Sequence, residues 1–498
     1  MLFVTLKAMA LALLIAPAMV VAAAADPIEG RWYGQVGFPQ DRVDIGLEFR
    51  RNAAGELKAY LYQPVINFYG LELPGVVQVH GANYTLKEYG YSITRKGETL
   101  EGTFSSLNDP MTLRRTHAMP SEVPVPDLPA GPEPLWQTKL AAPIYAAAAL
   151  RDGMAYLGTT GGVLHAVRVK DGSIAWTFSA GRPLFGEAVA TTDALYFVCD
   201  NGWLFKLERA TGKEIWRYEL GDARVERVLP HPTVYDYDFK APRPVVADGS
   251  VYVGSGDGSF HAVGEATGQQ LWRFVPPAVK SQLSVDGSIV EQAGKVRADA
   301  VIDGSRVVFG SFDGNVYALE RATGKQVWSK NTGARVDSSP VVMGEKLIVG
   351  NFGGLLAGLD KTDGSVSWRL IWWGSEVQST PVAYGDLAYI GASDLRRVTC
   401  FVPNEGRVVW RTDVYGWPWG RPAVTDGFVY IGVAGGSPYG IRHLPSLTAL
   451  DRRTGAIAWR RPVAQSGYVY GFAAPPAIDG NVLVIGSVEG TLYAFPVT

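Results

Sequence analysis

Cysteine is almost absent from this chain, since Cys199 and Cys400 are the only two among its 498 residues. Two cysteines exclude a disulfide-rich scaffold, and neither lies in the CxxC or Cys/His spacing of a zinc site. The sequence therefore predicts no metal site of that kind and a fold that is held together by packing.

An excess of either charge is missing as well. The chain has 46 Lys and Arg against 48 Asp and Glu, which gives a formal net charge of -2. Proteins that bind nucleic acid or an anionic membrane through their overall field are usually strongly basic. We therefore expect no nucleic-acid partner, and any recognition of charge must be local.

The common catalytic motifs are also missing from the sequence. It contains no GxSxG nucleophile elbow, no HExxH and no conspicuous local acid/base pair. The glycine-rich GSGDG at 254–258 lies between two strand-like runs rather than before a helix, so it predicts a hairpin turn and not a phosphate-binding loop. No catalytic residue is predicted from a motif.

Long apolar runs are confined to the N-terminus. Lys7 precedes an apolar run over 8–21, and three alanines stand before Asp26, as at a signal-peptidase site. Residues 1–25 are therefore predicted to be a secretory signal peptide. An uncleaved anchor is the alternative, but the run is shorter than the roughly 20 residues that span a bilayer. No cysteine lies near the cleavage site, so no lipoprotein anchor is expected. We expect a periplasmic or secreted protein with no stable membrane span after cleavage.

One phrase recurs along the rest of the chain. Its copies are RATGKEIW at 209–216, EATGQQLW at 265–272, RATGKQVW at 321–328 and RRTGAIAW at 452–459. Short apolar runs separated by Asp-Gly turns precede each copy, which is the pattern of four antiparallel strands. A four-stranded unit repeated about every 40 residues is typical of a β-propeller blade.

The two ends of this region complete one another. The last unit, 479–495, stops before its tryptophan, whereas PLWQTKL at 134–140 supplies Trp136 before the first complete unit. Sharing one blade between the chain ends closes a ring without open edges. The sequence therefore predicts an all-β fold in which residues 134–498 form an eight-bladed propeller, with the repeated tryptophans buried between blades. Cys199 and Cys400 fall in blades 2 and 6, too far apart for a disulfide.

A second β domain is predicted before the propeller. Residues 26–116 contain eight runs of alternating apolar and polar residues, which predict a small antiparallel barrel. With GRWYG near its start and LEGTF near its end, this segment resembles a lipocalin-like module, which implies either a sugar or lipid ligand or a spacer role. Residues 117–133 are rich in proline and predict an extended linker.

The patterns DGxxYxG, DGxxxAL and TGxxxW resemble the PQQ-like propeller repeat over residues 134–498. The resemblance implies one of two functions: a quinoprotein dehydrogenase that binds pyrroloquinoline quinone (PQQ) and calcium, or a BamB-type scaffold of the outer-membrane assembly machinery. The dehydrogenases carry a vicinal Cys-Cys pair that is missing here, whereas BamB-type scaffolds carry a lipid cysteine that is also missing. We favour a non-catalytic scaffold without cofactor that binds an envelope protein; the alternative is a PQQ- and Ca²⁺-dependent oxidoreductase.

Insertions indicate one face of the propeller as the binding face. Tryptophans stand 40 to 42 residues apart, except from Trp216 to Trp272 and Trp272 to Trp328, 56 residues each, and before Trp459, 49 residues. The surplus residues fall between blades or between second and third strands, which share one face, and variable loops on a rigid scaffold usually carry binding. The candidate partner-binding residues, expected to be exposed there, are Trp372, Trp373, Trp417, Trp419, His231 and His443.

The residues before each first strand are predicted to line the channel mouth. Counting back from the glycine of the second strand aligns Arg243, Asp299, Ser339, Thr380 and Arg421, and two residues earlier Tyr145, Arg297, Asp337, Gln378 and Trp419. The arginines would hold a small anionic ligand or a partner carboxylate, or they would be neutralised by Asp299 and Asp337 around trapped water. In the oxidoreductase alternative, Asp299 or Asp337 is the base, and Arg243, Arg297, Gln378, Trp419 and Arg421 are the cofactor-binding candidates.

Two histidines are better explained by packing than by metal binding. His165 and His261 occupy one repeat position that other blades fill with Phe205, Tyr317 and Tyr493. A position shared with aromatic rings is predicted to be a packing position, so no metal ligand is predicted.

Overall fold

The computed structural model describes residues 26–37, 42–86, 91–104, 109–221, 240–277, 279–282, 289–292, 294–372, 374–436, 442–464 and 467–497. These residues form an all-β protein, as predicted, in which one 3₁₀ turn at Pro64–Ile66 is the single helical element described. None of the described helices is long and apolar enough to cross a membrane. The predicted signal peptide, residues 1–25, lies outside the described residues.

The chain divides into two compact units. Of the described residues, the first unit contains 26–37, 45–62 and 72–119, and the second contains 42–44, 63–71 and 120–497.

The N-terminal sheet has nine antiparallel strands in the order β4-β3-β2-β1-β9-β8-β7-β6-β5. Their bounds are β1 Gly30–Val36, β2 Val43–Arg51, β3 Leu57–Gln63, β4 Phe68–Glu72, β5 Gln78–His80, β6 Asn83–Leu86, β7 Tyr91–Lys96, β8 Thr99–Phe104 and β9 Asp109–Thr116. The predicted barrel takes the form of a curled sheet, a half-barrel.

The interior of the first unit is filled by its own apolar side chains. Trp32, Leu100 and Leu113 are fully buried. The apolar cavity among its strands measures about 10 Å³, which is space for about one water molecule. The likeness to a lipocalin stays a prediction.

The propeller consists of eight four-stranded sheets. Blade 1 contains β11 Ala149–Arg151, β12 Met154–Gly158, β13 Val163–Arg168 and β14 Ile174–Ser179, and blade 2 contains β15 Val189–Ala190, β16 Ala194–Cys199, β17 Trp203–Glu208 and β18 Glu214–Glu219. Blade 3 contains β19 Val245–Ala247, β20 Ser250–Gly254, β21 Phe260–Gly264 and β22 Gln270–Phe274. Blade 4 contains β25 Val301–Asp303, β26 Arg306–Gly310, β27 Asn315–Glu320 and β28 Gln326–Asn331. A hairpin, β23 Val279–Gln282 and β24 Ile289–Gln292, stands between blades 3 and 4.

The remaining blades follow the same plan. Blade 5 contains β29 Val341–Met343, β30 Lys346–Gly350, β31 Leu355–Asp360 and β32 Val366–Ile371, and blade 6 contains β33 Val382–Tyr384, β34 Leu387–Gly391, β35 Arg397–Val402 and β36 Arg407–Asp413. Blade 7 contains β37 Ala423–Val424, β38 Phe428–Gly436, β39 Ser446–Asp451 and β40 Ile457–Pro462. Blade 8 contains β42 Ala477–Asp479, β43 Val482–Gly486 and β44 Thr491–Pro496. In blade 7 a further strand, β41 Val469–Gly471, pairs with the extended β38. The eighth sheet is completed by β10 Trp136–Lys139, which pairs with β44 and so confirms the predicted shared blade.

The recurring phrase fastens each blade to the next. The indole nitrogen of Trp272 in blade 3 donates to the carbonyl of Arg321 in blade 4 at 2.8 Å. A Cβ on Gly324 of the same turn would lie 2.6 Å from that indole ring. The same glycine-on-indole contact joins Gly172 to Trp136, Gly212 to Trp176, Gly268 to Trp216, Gly364 to Trp328, Gly406 to Trp368 and Gly455 to Trp410. The glycine is required because the turn has positive φ and the ring lies against it.

Part of the predicted linker belongs to the propeller. Gly131 donates to the carbonyl of Arg460 at 2.8 Å, and Ala130 forms a parallel bridge with Arg460. A Cβ on Gly131 would overlap the indole of Trp459. Residues 130 and 131 of the predicted linker, 117–133, therefore lie against β40 of blade 7.

Both cysteines are free and buried, Cys199 in β16 of blade 2 and Cys400 in β35 of blade 6. This confirms the prediction that they form no disulfide. Burial raises the pKa of each thiol to about 11.

Candidate functional site

A cleft of about 90 Å³ opens at the channel mouth, and all eight blades contribute to its lining. Each contribution comes from the segment just before a first strand. The lining residues are Tyr145, Ala146, Ala147, Phe185, Glu187, Lys240, Ala241, Arg297, Asp299, Ser339, Gln378, Thr380, Trp419, Gly420, Arg421, Ala473 and Pro475.

The structure brings together most of the residues that the repeat alignment assigned to this mouth. Arg297, Asp299, Gln378, Trp419 and Arg421 line the cleft. Tyr145, Ser339 and Thr380, which were aligned with them, also line the cleft. Arg243 and Asp337 are not among the lining residues, although both contact residues that are.

Hydrogen bonds run from blade to blade around the mouth. The backbone N–H of Arg243 donates to Oδ1 of Asp299 at 2.8 Å, and that of Asp299 donates to Oγ of Ser339 at 3.0 Å. The N–H of Ser339 in turn donates to Oγ1 of Thr380 at 3.4 Å. These polar side chains satisfy backbone groups of the preceding blade, so they also have a structural role.

Charged side chains at the mouth are paired. Arg421 forms an ion pair of 2.6 Å with Glu187, and Arg243 lies 3.7 Å from both Glu187 and Asp299. Asp337 lies 3.8 Å from Nε of Arg335. Both carboxylates proposed as a base therefore have an arginine partner, which agrees with the interpretation of a neutralised network.

Glu187 was missed by the sequence alignment because blade 2 lacks the glycine on which the alignment was anchored. Register pairs Tyr156 with Ala149 in blade 1 and Tyr196 with Val189 in blade 2. Two residues after Tyr196 comes Val198, where other blades have glycine. Aligning on the tyrosine instead would have placed Glu187 at the same position as Arg243.

Lys240 was also missed, because its side chain crosses from another blade. It follows the long connection after β18, and its ammonium donates to the carbonyl of Asp337 at 2.9 Å and to the carbonyl of Gln378. Burial lowers the pKa of this ammonium, whereas the carboxylates of Asp337 and Asp299 favour its charged form. No spacing in the sequence indicates this contact.

Two groups in the segment before β33 are held in unusual states. The side chain of Gln378 is 4% exposed, and its Oε1 accepts no hydrogen bond from any described residue. Burial, with the nearby carboxylate of Asp394, raises the pKa of Glu376 to about 8. The mouth can therefore accept a donor at Gln378, and the carboxyl of Glu376, two residues earlier in the chain, keeps its proton to higher pH than usual.

The predicted exposed rim is wrong for the tryptophans that the structure describes. Trp372, Trp417 and Trp419 are 3%, 1% and 3% exposed. Trp417 and Trp419 stack with ring centroids 4.5 Å apart, and their indole nitrogens donate to Asp394 at 2.8 Å and to Ser393 at 3.0 Å. They are buried because β38 extends to Gly436 and pairs there with β41.

Neither candidate histidine is available as a described surface group. His443 is 4% exposed and lies 4.1 Å from Trp417 by ring centroids. Burial lowers its pKa to about 3. His231 and Trp373 lie outside the described residues.

The two repeat-position histidines are buried, as a packing role predicts. His261 is 2% exposed, and its ring contacts Oγ of Ser259 at 2.7 Å and the hydroxyl of Tyr218 at 3.1 Å. Burial lowers the pKa of His261 to about 4 and also lowers that of His165. Over the described ranges, no group of three His, Cys, Asp or Glu side chains could hold a metal ion.

The residues at the mouth do not fit the quinone cofactor that the dehydrogenase resemblance implies. The cleft of about 90 Å³ is smaller than the roughly 300–1,000 Å³ of pockets for drug-sized ligands. Lys240 lines it, and two of the three candidate arginines, Arg421 and Arg243, already pair with Glu187 and Asp299. A tricyclic quinone would need Lys240 to leave.

Comparison with known proteins gives both scaffold and enzyme relatives. Tetrathionate hydrolase of Acidithiobacillus ferrooxidans is 25% identical over 340 residues, which are 64% of this chain and 68% of that protein. Outer membrane protein assembly factor BamB of Yersinia pestis is 25% identical over 201 residues, 39% of this chain. The chain spans 45% of the length of that BamB.

Solved structures share the propeller fold. BamB of Moraxella catarrhalis aligns with a TM-score of 0.55 at 17% identity, over 73% of this chain and 99% of that one. A quinohemoprotein alcohol dehydrogenase of Comamonas testosteroni aligns with a TM-score of 0.53 at 16% identity, over 73% and 76%. At these identities the likeness shows the fold alone. The family model described as outer membrane protein assembly factor BamB matches residues 129–290 and 256–418, together 290 of 498 residues. The chain therefore belongs to the PQQ-like propeller family of that description.

Proposed function

We propose that this protein is an exported, non-catalytic scaffold of the cell envelope that binds a protein partner through the insertion-bearing face of its propeller. The observation that carries the proposal is the state of the channel mouth. Lys240 lines it, and Glu187 and Asp299 form ion pairs with Arg421 and Arg243. A site whose polar groups are already paired is suited to stability rather than to chemistry.

Family membership supports the partner class. The matching family model and several relatives are described as outer membrane protein assembly factors. We propose that the partner is a protein of the outer-membrane assembly process. The loops that carry the contact belong to the connections before β19 and β25 and to the segment between β38 and β39.

The partner test uses deletion of 222–239, bridged by a short Gly-Ser linker, and crosslinking in native envelope membranes followed by mass spectrometry. We expect the deletion to reduce recovery of envelope partners at least tenfold. The matched control reverses the exposed charges of Lys213 and Lys325, which lie on turns of the opposite face. Equal loss in that control, or unchanged recovery after the deletion, would remove the support for this face.

The alternative function is a PQQ- and Ca²⁺-dependent oxidoreductase, and the fold shared with a quinohemoprotein dehydrogenase favours testing it. Purified protein is titrated with PQQ plus calcium, and heat, absorbance and dye-linked alcohol oxidation are followed on one sample. We expect no saturable binding at high micromolar cofactor. One-site binding with turnover that is lost in Asp299→Asn would establish the alternative.

A further inference from the structure

The carbonyls at the channel mouth form a place for a cation. Asp337 and Gln378 stand before β29 and β33, so their carbonyls lie outside the strand ladders of blades 5 and 6. Buried carbonyls need a donor or a cation. Here both carbonyls accept from the one ammonium of Lys240, which comes from the connection before blade 3.

Two carboxylates also act on this ammonium, although each has an arginine partner as well. Asp337 supplies a carboxylate as well as its carbonyl, and Asp299 lines the cleft. Both carboxylates favour the charged form of Lys240. Oε1 of Gln378 adds a further acceptor that takes no hydrogen bond from the described residues. The set of carbonyl, carboxylate and amide oxygens is the kind that binds a hard cation or an ammonium.

We propose that the channel mouth is a cation-binding site whose resident cation is the ammonium of Lys240, so that the chain supplies the cation of its own site. Removal of this side chain leaves a site for a small monovalent cation, and an alkylammonium ion reproduces the missing group best. The proposal does not depend on the scaffold function, because it concerns only residues that stand before the first strands of blades 3 to 6.

The first test is chemical rescue of Lys240→Ala. Thermal unfolding is followed with propylammonium, potassium or tetramethylammonium chloride at one ionic strength. We expect the variant to unfold at least about 2 °C below the wild type, and propylammonium to restore at least half of that loss. Tetramethylammonium, which donates no hydrogen bond, should restore none.

Lys206→Ala is the matched control. The ammonium of Lys206 also donates to a carbonyl, that of Glu265 at 2.8 Å, but among the described residues it does not join the carbonyls of two different blades as Lys240 does. Rescue of the same size in this control, or a Lys240→Ala variant as stable as the wild type, would overturn the proposal. Lys240→Gln keeps a donor without charge. If it is as stable as the wild type, the cation is not required.

The reactivity of Lys240 can also be measured in the wild-type protein, so that this test does not depend on whether the variants fold. Brief acetylation of the native protein is read by mass spectrometry at Lys240 and at the surface Lys361, which donates to the carbonyl of Gly344 at 3.1 Å. We expect Lys240 to react at least tenfold more slowly than Lys361. Equal rates would show that the ammonium is free in solution and would contradict the proposal.

Discussion

Gly131 lies directly against the indole of Trp459, in the place that a turn glycine occupies at the other blade junctions. Blade 8 lacks a turn there because its outer strand comes from the other end of the chain. At the junction between blades 7 and 8, Gly131 therefore packs on the indole ring as Gly455 and Gly324 do at their own junctions. The ring is closed by this contact as well as by the strand pairing of β10 with β44.

Gly131→Ala should lower the free energy of unfolding by about 1–3 kcal/mol, because an added Cβ overlaps the ring of Trp459 in a close-packed junction. Gly427→Ala is the control, since no atom lies within 4 Å of a Cβ there and neither glycine has positive φ. Urea unfolding of both variants measures the difference. Equal stability of the two would show that the junction tolerates a methyl group.

Glu187→Gln should destabilise the propeller by about 1–2 kcal/mol, because Arg421 and Arg243 lose their shared carboxylate in a partly solvated mouth. Glu405→Gln removes an exposed ion pair with Arg407 of 3.0 Å and should cost less than about 0.5 kcal/mol. Chemical denaturation at low and high salt compares the two. A Glu187 variant no weaker than the Glu405 variant would contradict the role given to this carboxylate.

His261 should make the protein lose stability in mild acid. Its pKa is lowered to about 4 in the folded state from an ordinary value near 6.5, so the unfolded chain takes up the proton first. The contribution of His261 to stability is fully present above pH 6.5, and about 3 kcal/mol of it is lost as the pH approaches 4. His261→Phe, the residue type at the equivalent Phe205, should flatten this slope. His80→Phe on the exposed strand β5 is the control for the substitution itself.

Glu376 should act in the opposite direction. Its pKa is raised to about 8, so the folded state keeps a proton that the unfolded state releases above about pH 4.5. The contribution of Glu376 to stability is therefore lost as the pH rises above about 4.5, and Glu376→Gln should have a higher free energy of unfolding than the wild type at pH 8. Melting curves between pH 5 and 8 test this, with Glu405→Gln as control. A variant with the wild-type slope would contradict the assignment.

The sequence by itself determined the blade number, the strand pattern and the closing strand. These features are local: a Thr-Gly turn, an Asp-Gly turn and a tryptophan at fixed spacing act within one blade or between neighbours, as Trp272 and Gly324 do. The same period placed Asp299, Ser339 and Thr380 in one ring, because equivalent positions of a propeller face the same channel. It missed Glu187 where blade 2 departs from the glycine pattern.

Tertiary structure alone decided what the site residues do. Trp417 and Trp419 look like exposed anchors in the sequence, but β41 pairs with the extended β38 and encloses them. Lys240 gives no signal, because its partners Asp337 and Gln378 are about 100 and 140 residues away and are main-chain carbonyls, which any residue carries. The repeat predicts which positions meet at the channel, because equivalent residues of each blade face it. The contact of Lys240 with two carbonyls of other blades depends on the distances between blades, and the closed ring alone fixes these distances.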